Sequence, residues 1–394
     1  MLTEFYHLLD DQFDKMVEIR RYLHQHPEPS FHEYETAKFI ANYYANLGVS
    51  DVRTNVGGNG VVARIKGAKP GKTIALRADF DALPIQDEKD VPYKSKVPGV
   101  MHACGHDAHT STLLAIANVV FQKRDELKGE YVFIHQHAEE YAPGGAKPMI
   151  EDGCLEGVDV IFGTHLWSTE PLGQILYRTG PVMAAADRFQ ITVQGKGGHG
   201  GYPHTTNDAI VTASQIVLNL QTIVSRKVNP IDSAVVSIGS FLSDNAFNII
   251  ADKATLIGTV RTFNEQVRDQ IEKEIEKIVS ATCQMNDSTF TYEYSRGYPA
   301  VVNHEAETEF LTECAKGIPG VTEVVESPQK MGGEDFAYYL QKVKGTFFFT
   351  GARRECEDEV FPHHHPKFDI DERSMLIAAK TLLTAAIKYQ DYQE

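Results

Sequence analysis

Apolar side chains at Phe5, Leu8, Leu9, Phe13, Met16, Ile19 and Leu23 recur at helical spacing, which predicts one helix over 2–24, stopped by Pro27. Ser30-Phe31-His32-Glu33 has the form of a capping box and predicts a second helix ending near Gly48. The pattern then changes to short, nearly continuous apolar runs. Val61–Ile65 and Thr73–Ala78 read as strands, the second buried on both faces and ending at Asp79 with Asp81 just beyond. A helix is expected from about Asp107 to Gln122. Tyr131–His137 is a further buried strand, running into Ala138-Glu139-Glu140, and Val158–Thr164 is another, ending at His165. In open α/β sheets ligands bind beyond the carboxyl ends of the strands, so Asp79, Glu139, Glu140 and His165 are expected to meet in one crevice.

From about residue 186 the pattern is different. Phe189–Val193, Ala234–Phe241, Ala254–Thr262 and Thr289–Tyr294 read as strands, with helices over Asp208–Val224 and Val267–Met285. The order βαββαβ is that of a ferredoxin-like unit. A helix near 305–317, an apolar strand Thr346–Thr350 and a closing helix over 372–390 should rejoin the first domain. The expected fold is therefore α/β: a catalytic domain with a mixed sheet and helices on both faces, over 1–185 and 296–394. A ferredoxin-like α+β domain over 186–295 interrupts it. Gly57-Gly58-Asn59-Gly60 precedes a strand, not a helix, and reads as a turn, not a phosphate cradle.

Composition narrows the function classes. The chain has 394 residues and a net charge of −16, and it lacks the basic run of a nucleic-acid binder. No apolar run reaches the length of roughly 18 residues that a membrane span needs. The N-terminus lacks the basic start and apolar core of a secretory signal. The five cysteines, 104, 154, 283, 314 and 356, are odd in number and scattered, as expected of reduced thiols in a cytoplasmic protein.

The 16 histidines are more informative, because many cluster: 102, 106 and 109; 135 and 137; 363, 364 and 365. His102-Ala103-Cys104-Gly105-His106-Asp107-Ala108-His109 brings a thiol, three imidazoles and a carboxylate together. A thiolate and an imidazole two residues apart, with glycine between them, can turn toward one late first-row metal ion from a tight loop. Taken alone, Cys104 reads first as a buried free cysteine beside surface histidines, and the rest of the chain has to decide.

Several further stretches occur in register with this one. They are Arg20-Arg21-Tyr22-Leu23-His24-Gln25-His26-Pro27-Glu28, Arg77-Ala78-Asp79-Phe80-Asp81-Ala82-Leu83-Pro84, Glu139-Glu140, Gly195-Lys196-Gly197-Gly198-His199, Gly332-Gly333-Glu334-Asp335-Phe336 and His364-His365-Pro366-Lys367-Phe368-Asp369. Together with Met101–Asp107 they resemble the amidohydrolase branch of the aminoacylase/carboxypeptidase-G-type dinuclear metallohydrolases. That branch includes hippurate hydrolases, auxin–amino-acid conjugate hydrolases and N-acetyldiaminopimelate deacetylases. The resemblance covers nearly the whole chain.

The resemblance implies two divalent metal ions per subunit, manganese or zinc, with cobalt and nickel as further candidates. It implies Cys104, His106, Glu140, His165 and His364 as ligands, with Cys104 bridging the ions where the wider superfamily has an aspartate. Arg77-Ala78-Asp79 stands where that superfamily has His-x-Asp, so Asp79 is expected behind the ligands, orienting a histidine. His363 and His365 are expected to be surface or hydrogen-bonding residues. Glu139 would be the general base and acid acting on a metal-bridging water. His199 is the candidate for the oxyanion, contributed by a partner subunit, and is otherwise an ordinary loop histidine. Asn248 and Arg261 are further candidates for substrate binding; Arg261 can hold a carboxylate or form a strand-end ion pair. Glu334 and Asp335 are expected to line the crevice without an assigned role. The inserted domain would act as a lid and dimerise the chain. The implied substrate is an N-acyl amino acid or short peptide. Two rival readings remain: a thiol hydrolase with Cys104 as nucleophile and His106 or His165 as base, and a non-catalytic metal-binding protein.

Overall fold

The computed structural model describes residues 2–355 and 359–393, so Cys356 lies outside the described residues. Contacts divide the chain into two compact units. The first comprises Met1–Gly180, Val302–Pro328 and Asp335–Glu394, and the second Pro181–Val301 and Gln329–Glu334. The short segment 329–334, assigned to the catalytic part by sequence, thus belongs with the second unit. The borders of that unit fall at Pro181 and Val301, not at 186 and 295.

The first unit is built on an eight-stranded sheet. Its strands lie in the order Asp51–Val56, Gly60–Lys66, Lys128–Gln136, Lys69–Asp79, Val160–Pro171, Lys344–Arg353, Gln174–Tyr177 and Glu323–Glu326. The four central strands are mutually parallel, while Gly60–Lys66 pairs antiparallel with Lys128–Gln136. The parallel strands are buried where they approach their carboxyl ends, as Ile74–Asp79 and Tyr131–Gln136 show. Helices His106–Lys123 and Arg373–Tyr389 bury most of their length in a core that includes Leu76, Phe133, Phe162, Leu114 and Leu383. A helix that is apolar all round is a buried one.

Three local expectations are corrected. The helix over 2–24 is two helices, Leu2–Asp11 and Phe13–Gln25. The Gln12 amide is shared between Leu8 O and Leu9 O, so the ladder changes step there while the apolar face continues. Apolar periodicity reports which face is buried and is blind to such a break. The second helix, Tyr34–Leu47, is not capped by Ser30. Ser30 Oγ donates to Asp81 Oδ2 at 2.7 Å, and Glu33 accepts from Phe31 N and Ala138 N at 3.0 and 2.8 Å. The helix start is satisfied instead by Glu28, which accepts from Thr36 N at 2.8 Å. The strand expected over Val158–Thr164 runs on to Pro171, so His165 lies within it.

The second unit carries an antiparallel sheet in the order Ala234–Leu242, Lys253–Thr262, Ala185–Gln194, Thr289–Ser295. Helices Ala209–Thr222 and Glu265–Met285 pack on it through Ala213, Ile216, Leu220, Ile271, Ile275 and Val279. This is the ferredoxin-like arrangement. Asp208 and Asn264 cap the two helices, each accepting two backbone amides of the first turn. Among the described residues no helix is long and apolar enough to cross a membrane.

Candidate metal centre and active site

The parallel strands bring their carboxyl ends to one edge of the first unit's sheet. Asp79 ends one strand, and Glu139 and Glu140 follow another after a turn in which Ala138 has φ +51°. His165 sits opposite Phe349 of the neighbouring strand. Cys104 and His106 flank Gly105, whose φ of +91° immediately precedes the helix His106–Lys123. That left-handed residue costs glycine little and turns both side chains toward one point. His364 also has a left-handed φ, +65°, and its amide donates to Ala103 O at 2.8 Å. A non-glycine residue held there is a strained position, of the kind that concentrates at functional sites.

The ligand-type atoms then fall close together. Cys104 Sγ lies 3.3 Å from His165 Nε2, and His364 Nε2 lies 3.2 Å from Glu140 Oε1. His106 Nε2 is 3.8 Å from Glu140 Oε1 and 4.0 Å from Glu139 Oε2. Two of the imidazoles are held through their outer nitrogens. His165 Nδ1 donates to Leu166 O at 2.8 Å, and His106 Nδ1 donates to Asp81 O at 3.0 Å. His106 Nε2 is left buried without a hydrogen-bond partner, a costly state for an imidazole nitrogen unless something else meets it.

These atoms fit metal ions. Tetrahedral ligands at about 2.0–2.3 Å from a zinc-like ion lie about 3.3–3.8 Å from one another, close to the separations Cys104–His165, Glu140–His364 and His106–Glu140 show. Cys104, His106 and His165 form one candidate group, and Cys104, Glu140 and His364 a second that shares the thiol. Electrostatics agree. Burial pushes the Cys104 thiol well up, and the Glu140 and Glu139 carboxylates push it further. Burial opposes charge on His106, yet Asp79 and Asp81 hold it up at about 10. The hydrogen bond to Glu140 raises His364. Burial and the neighbouring His109 and His363 hold His165 well below the usual imidazole range. Acidic neighbours that hold protons on His106 and His364 favour a cation in their place, and binding it releases those protons.

The residues behind the ligands were only partly legible. Asp79 accepts from His109 Nδ1 at 2.6 Å and from Arg77 Nη1 at 2.6 Å, so the imidazole it orients is His109. The carboxylate that grips His106 is Asp81, at 3.1 Å, and its other oxygen accepts from Glu140 N at 3.0 Å. The signal was present in the sequence as two aspartates two residues apart at a strand end. His109 Nε2 accepts from Leu166 N at 2.9 Å, so both its nitrogens are engaged and it is not free to ligate. Asp335 accepts from Arg77, Gln136 and Ala146 and is a buried anchor. His363 meets Leu166 O at 3.0 Å, and His365 accepts from Lys367 N at 3.0 Å.

His199, Asn248, Arg261 and Glu334 belong to the second unit. His199 pairs with Ile249 across a two-stranded ribbon, and Gly200 N donates to Asn248 O at 2.8 Å, so His199 and Asn248 share one structure. The ribbon lies beyond the Lys253 end of the strand Lys253–Thr262, whereas Arg261 lies at the other end. The strand rise separates Arg261 from Lys253 by about 26 Å. His199 and Arg261 thus stand by opposite ends of the strand Lys253–Thr262. Glu334 is buried.

Residues 75–388 match the model of peptidase family M20/M25/M40. The chain belongs to this family. It is 67% identical over 381 residues to YhaA of Bacillus subtilis (strain 168), covering 97% of this chain and 96% of that one. It is 44% identical over 302 residues to the N-acyl-L-amino acid amidohydrolase of Geobacillus stearothermophilus, covering 77% of this chain and 81% of that one. The crystal structure of YXEP from Bacillus subtilis, described as a dinuclear metal binding peptidase from the M20 family, matches with a TM-score of 0.84 and 35% identity. That match covers 97% of this chain and 99% of that one. This M20-family member is therefore a hydrolase, and the resemblance carried by its short motifs extends through its fold.

Proposed function

We propose that this M20-family hydrolase is a dinuclear metal-dependent amidohydrolase that removes the acyl group from an N-acyl amino acid or short peptide. The observation that carries the reading is the convergence of Cys104, His106, Glu140, His165 and His364, with Glu139 Oε2 4.0 Å from His106 Nε2. Cys104, His106, Glu140, His165 and His364 would hold two divalent ions, the Cys104 thiolate being common to both candidate groups. When bound, a pair of divalent ions polarises the amide carbonyl and lowers the pKa of water toward about 7. Glu139, buried at the rim of the ligand set, takes the proton of the attacking water and returns it to the leaving amine. Such a role contributes about 10²–10⁴-fold. Asp81 holds His106 and Glu140 in place, and Asp79 acts through His109.

His199 donates to the developing oxyanion, with Asn248 and Arg261 binding substrate. The span between His199 and Arg261 supports a composite site in a homodimer, in which two chains supply these groups. Leu218, Phe241 and Leu242 are exposed on the helix Ala209–Thr222 and the edge strand Ala234–Leu242, and an apolar edge strand invites pairing with a second copy. The free, buried Cys104, Cys154, Cys283 and Cys314 suit a cytoplasmic location.

The 3.3 Å approach of Cys104 Sγ to His165 Nε2 is the one feature that favours a thiol hydrolase. A nucleophilic cysteine needs a depressed pKa, whereas this thiol is raised and its imidazole partner is held neutral. The deciding experiment assays metal-free protein, reloaded with zinc, manganese, cobalt or nickel, against a panel of N-acyl amino acids. Activity that returns only with metal is expected and identifies both the ion and the acyl group. Full activity in the metal-free protein would overturn the reading.

A further inference from the structure

The stretch Arg20-Arg21-Tyr22-Leu23-His24 supplies no ligand, yet Arg20 and His24 are fully buried. Arg20 Nε lies 3.0 Å from Asp107 Oδ2, Nη2 donates to Asp369 Oδ1 at 2.8 Å, and Nη1 donates to Glu372 Oε1 at 3.2 Å. His24 Nδ1 donates to the same Asp107 oxygen at 2.7 Å, and Lys89 Nζ donates to His24 Nε2 and to Phe368 O, both at 2.8 Å. Tyr93 OH donates to Asp369 Oδ2 at 2.7 Å.

The partners of this one guanidinium come from two places. Asp107 directly follows His106 at the start of a helix, and Asp369 closes the loop that carries His364. Cys104 and His106 adjoin a long buried helix, and His165 is in a central strand. His364, by contrast, lies between the strand Lys344–Arg353 and the helix Arg373–Tyr389, half exposed and with a left-handed backbone. Its backbone amide donates a hydrogen bond to Ala103 O in the other loop at 2.8 Å. The planar fork of an arginine can hold several carboxylates at fixed angles, which a lysine point charge cannot.

We propose that Arg20 is a positioning residue that fixes the distance between the Cys104–His106 loop and the His364 loop, and so sets whether the centre takes up two ions or one. The proposal rests on the dinuclear reading above. Arg20 touches neither substrate nor ligand atoms; it acts through Asp107 and Asp369. The group that contains His364 loses its geometry when this clamp is opened, whereas Cys104, His106 and His165 keep theirs.

The test is a stepwise cobalt(II) titration of the full-length metal-free chain, followed by thiolate-to-cobalt absorption and by bound metal per chain. Wild type and Arg21→Gln, whose side chain meets Glu372 but neither Asp107 nor Asp369, are expected to take up two ions. Arg20→Lys is expected to bind the first ion as wild type does and to bind the second about 10–100-fold more weakly, the range seen when an outer-shell partner is lost. Asp369→Asn keeps the loop's size and supplies the same test if Arg20→Lys does not fold. Equal weakening of both steps, which a general loss of structure produces, would overturn the proposal, as would two unchanged steps. A wild type that binds no cobalt would sink the dinuclear reading itself, and the clamp with it.

Discussion

Asp81 holds His106 by its outer nitrogen: Asp81 Oδ1 lies 3.1 Å from His106 Nδ1, and the Asp81 carbonyl accepts from the same nitrogen at 3.0 Å. The second carboxylate oxygen accepts from Glu140 N at 3.0 Å and from Ser30 Oγ at 2.7 Å. One buried carboxylate therefore aims the imidazole of one proposed ligand and anchors the backbone of another. Asp81→Asn removes the charge and leaves one oxygen for contacts that now use two. Metal affinity is expected to fall about 10–100-fold with the fold retained. Unchanged affinity by isothermal titration would show that Asp81 is not needed to aim His106.

Glu139→Gln keeps the size of the side chain and removes its basicity. Turnover is expected to fall by about 10²–10⁴-fold, with metal content staying near two ions per chain. Measured by steady-state kinetics beside elemental analysis, a variant with wild-type turnover would remove Glu139 from the mechanism.

Cys104→Ser replaces the proposed bridging thiolate by a poor ligand. Loss of one or both ions is expected, with far-ultraviolet circular dichroism unchanged. Full occupancy in that variant would count against the bridge. In the unmodified protein, chelation is expected to abolish activity and metal to restore it. Activity that survives a chelator but not a thiol alkylator would restore the nucleophile reading.

Glu33 gives a pH signature away from the ligand atoms. Burial, then the nearby Asp81 charge, pushes its carboxyl up to about 7. Between about 4.3, its unfolded value, and 7, the folded chain holds a proton that the unfolded chain has released. Stability therefore falls as pH rises through this window, by an amount on the order of 3–4 kcal/mol. Glu33→Gln can keep acceptor contacts to Phe31 N and Ala138 N without the charge. It is expected to be more stable than wild type at pH 8, with the gap closing by pH 5. Urea melts at the two pH values decide this, and a gap independent of pH would refute the assignment.

The placement of the candidate residues was largely legible, because they sit where strand chemistry places them. Apolar strands ending in Asp79 and in the turn to Glu139-Glu140 announced a crevice at the carboxyl edge of a parallel sheet. Cys104-Gly105-His106 announced a tight turn, which Gly105 makes at φ +91°. The supports were not legible. Ser30 and Glu33 match a local capping pattern, but tertiary contacts take them to Asp81 and Ala138, and Glu28 caps the helix instead. A local motif states what its residues can bond, and the fold decides among the available partners.

The sequence by itself determined the element types, the ferredoxin-like order of the second unit and which side chains of ligand type cluster, because periodicity and side-chain type are local properties. Only the tertiary structure decided which aspartate grips His106, that both nitrogens of His109 are engaged, and that Arg20 joins the loops of His106 and His364. Those facts depend on angles and distances between segments far apart in the chain. A carboxylate two residues nearer or farther along a strand end looks the same in sequence, yet it faces a different imidazole.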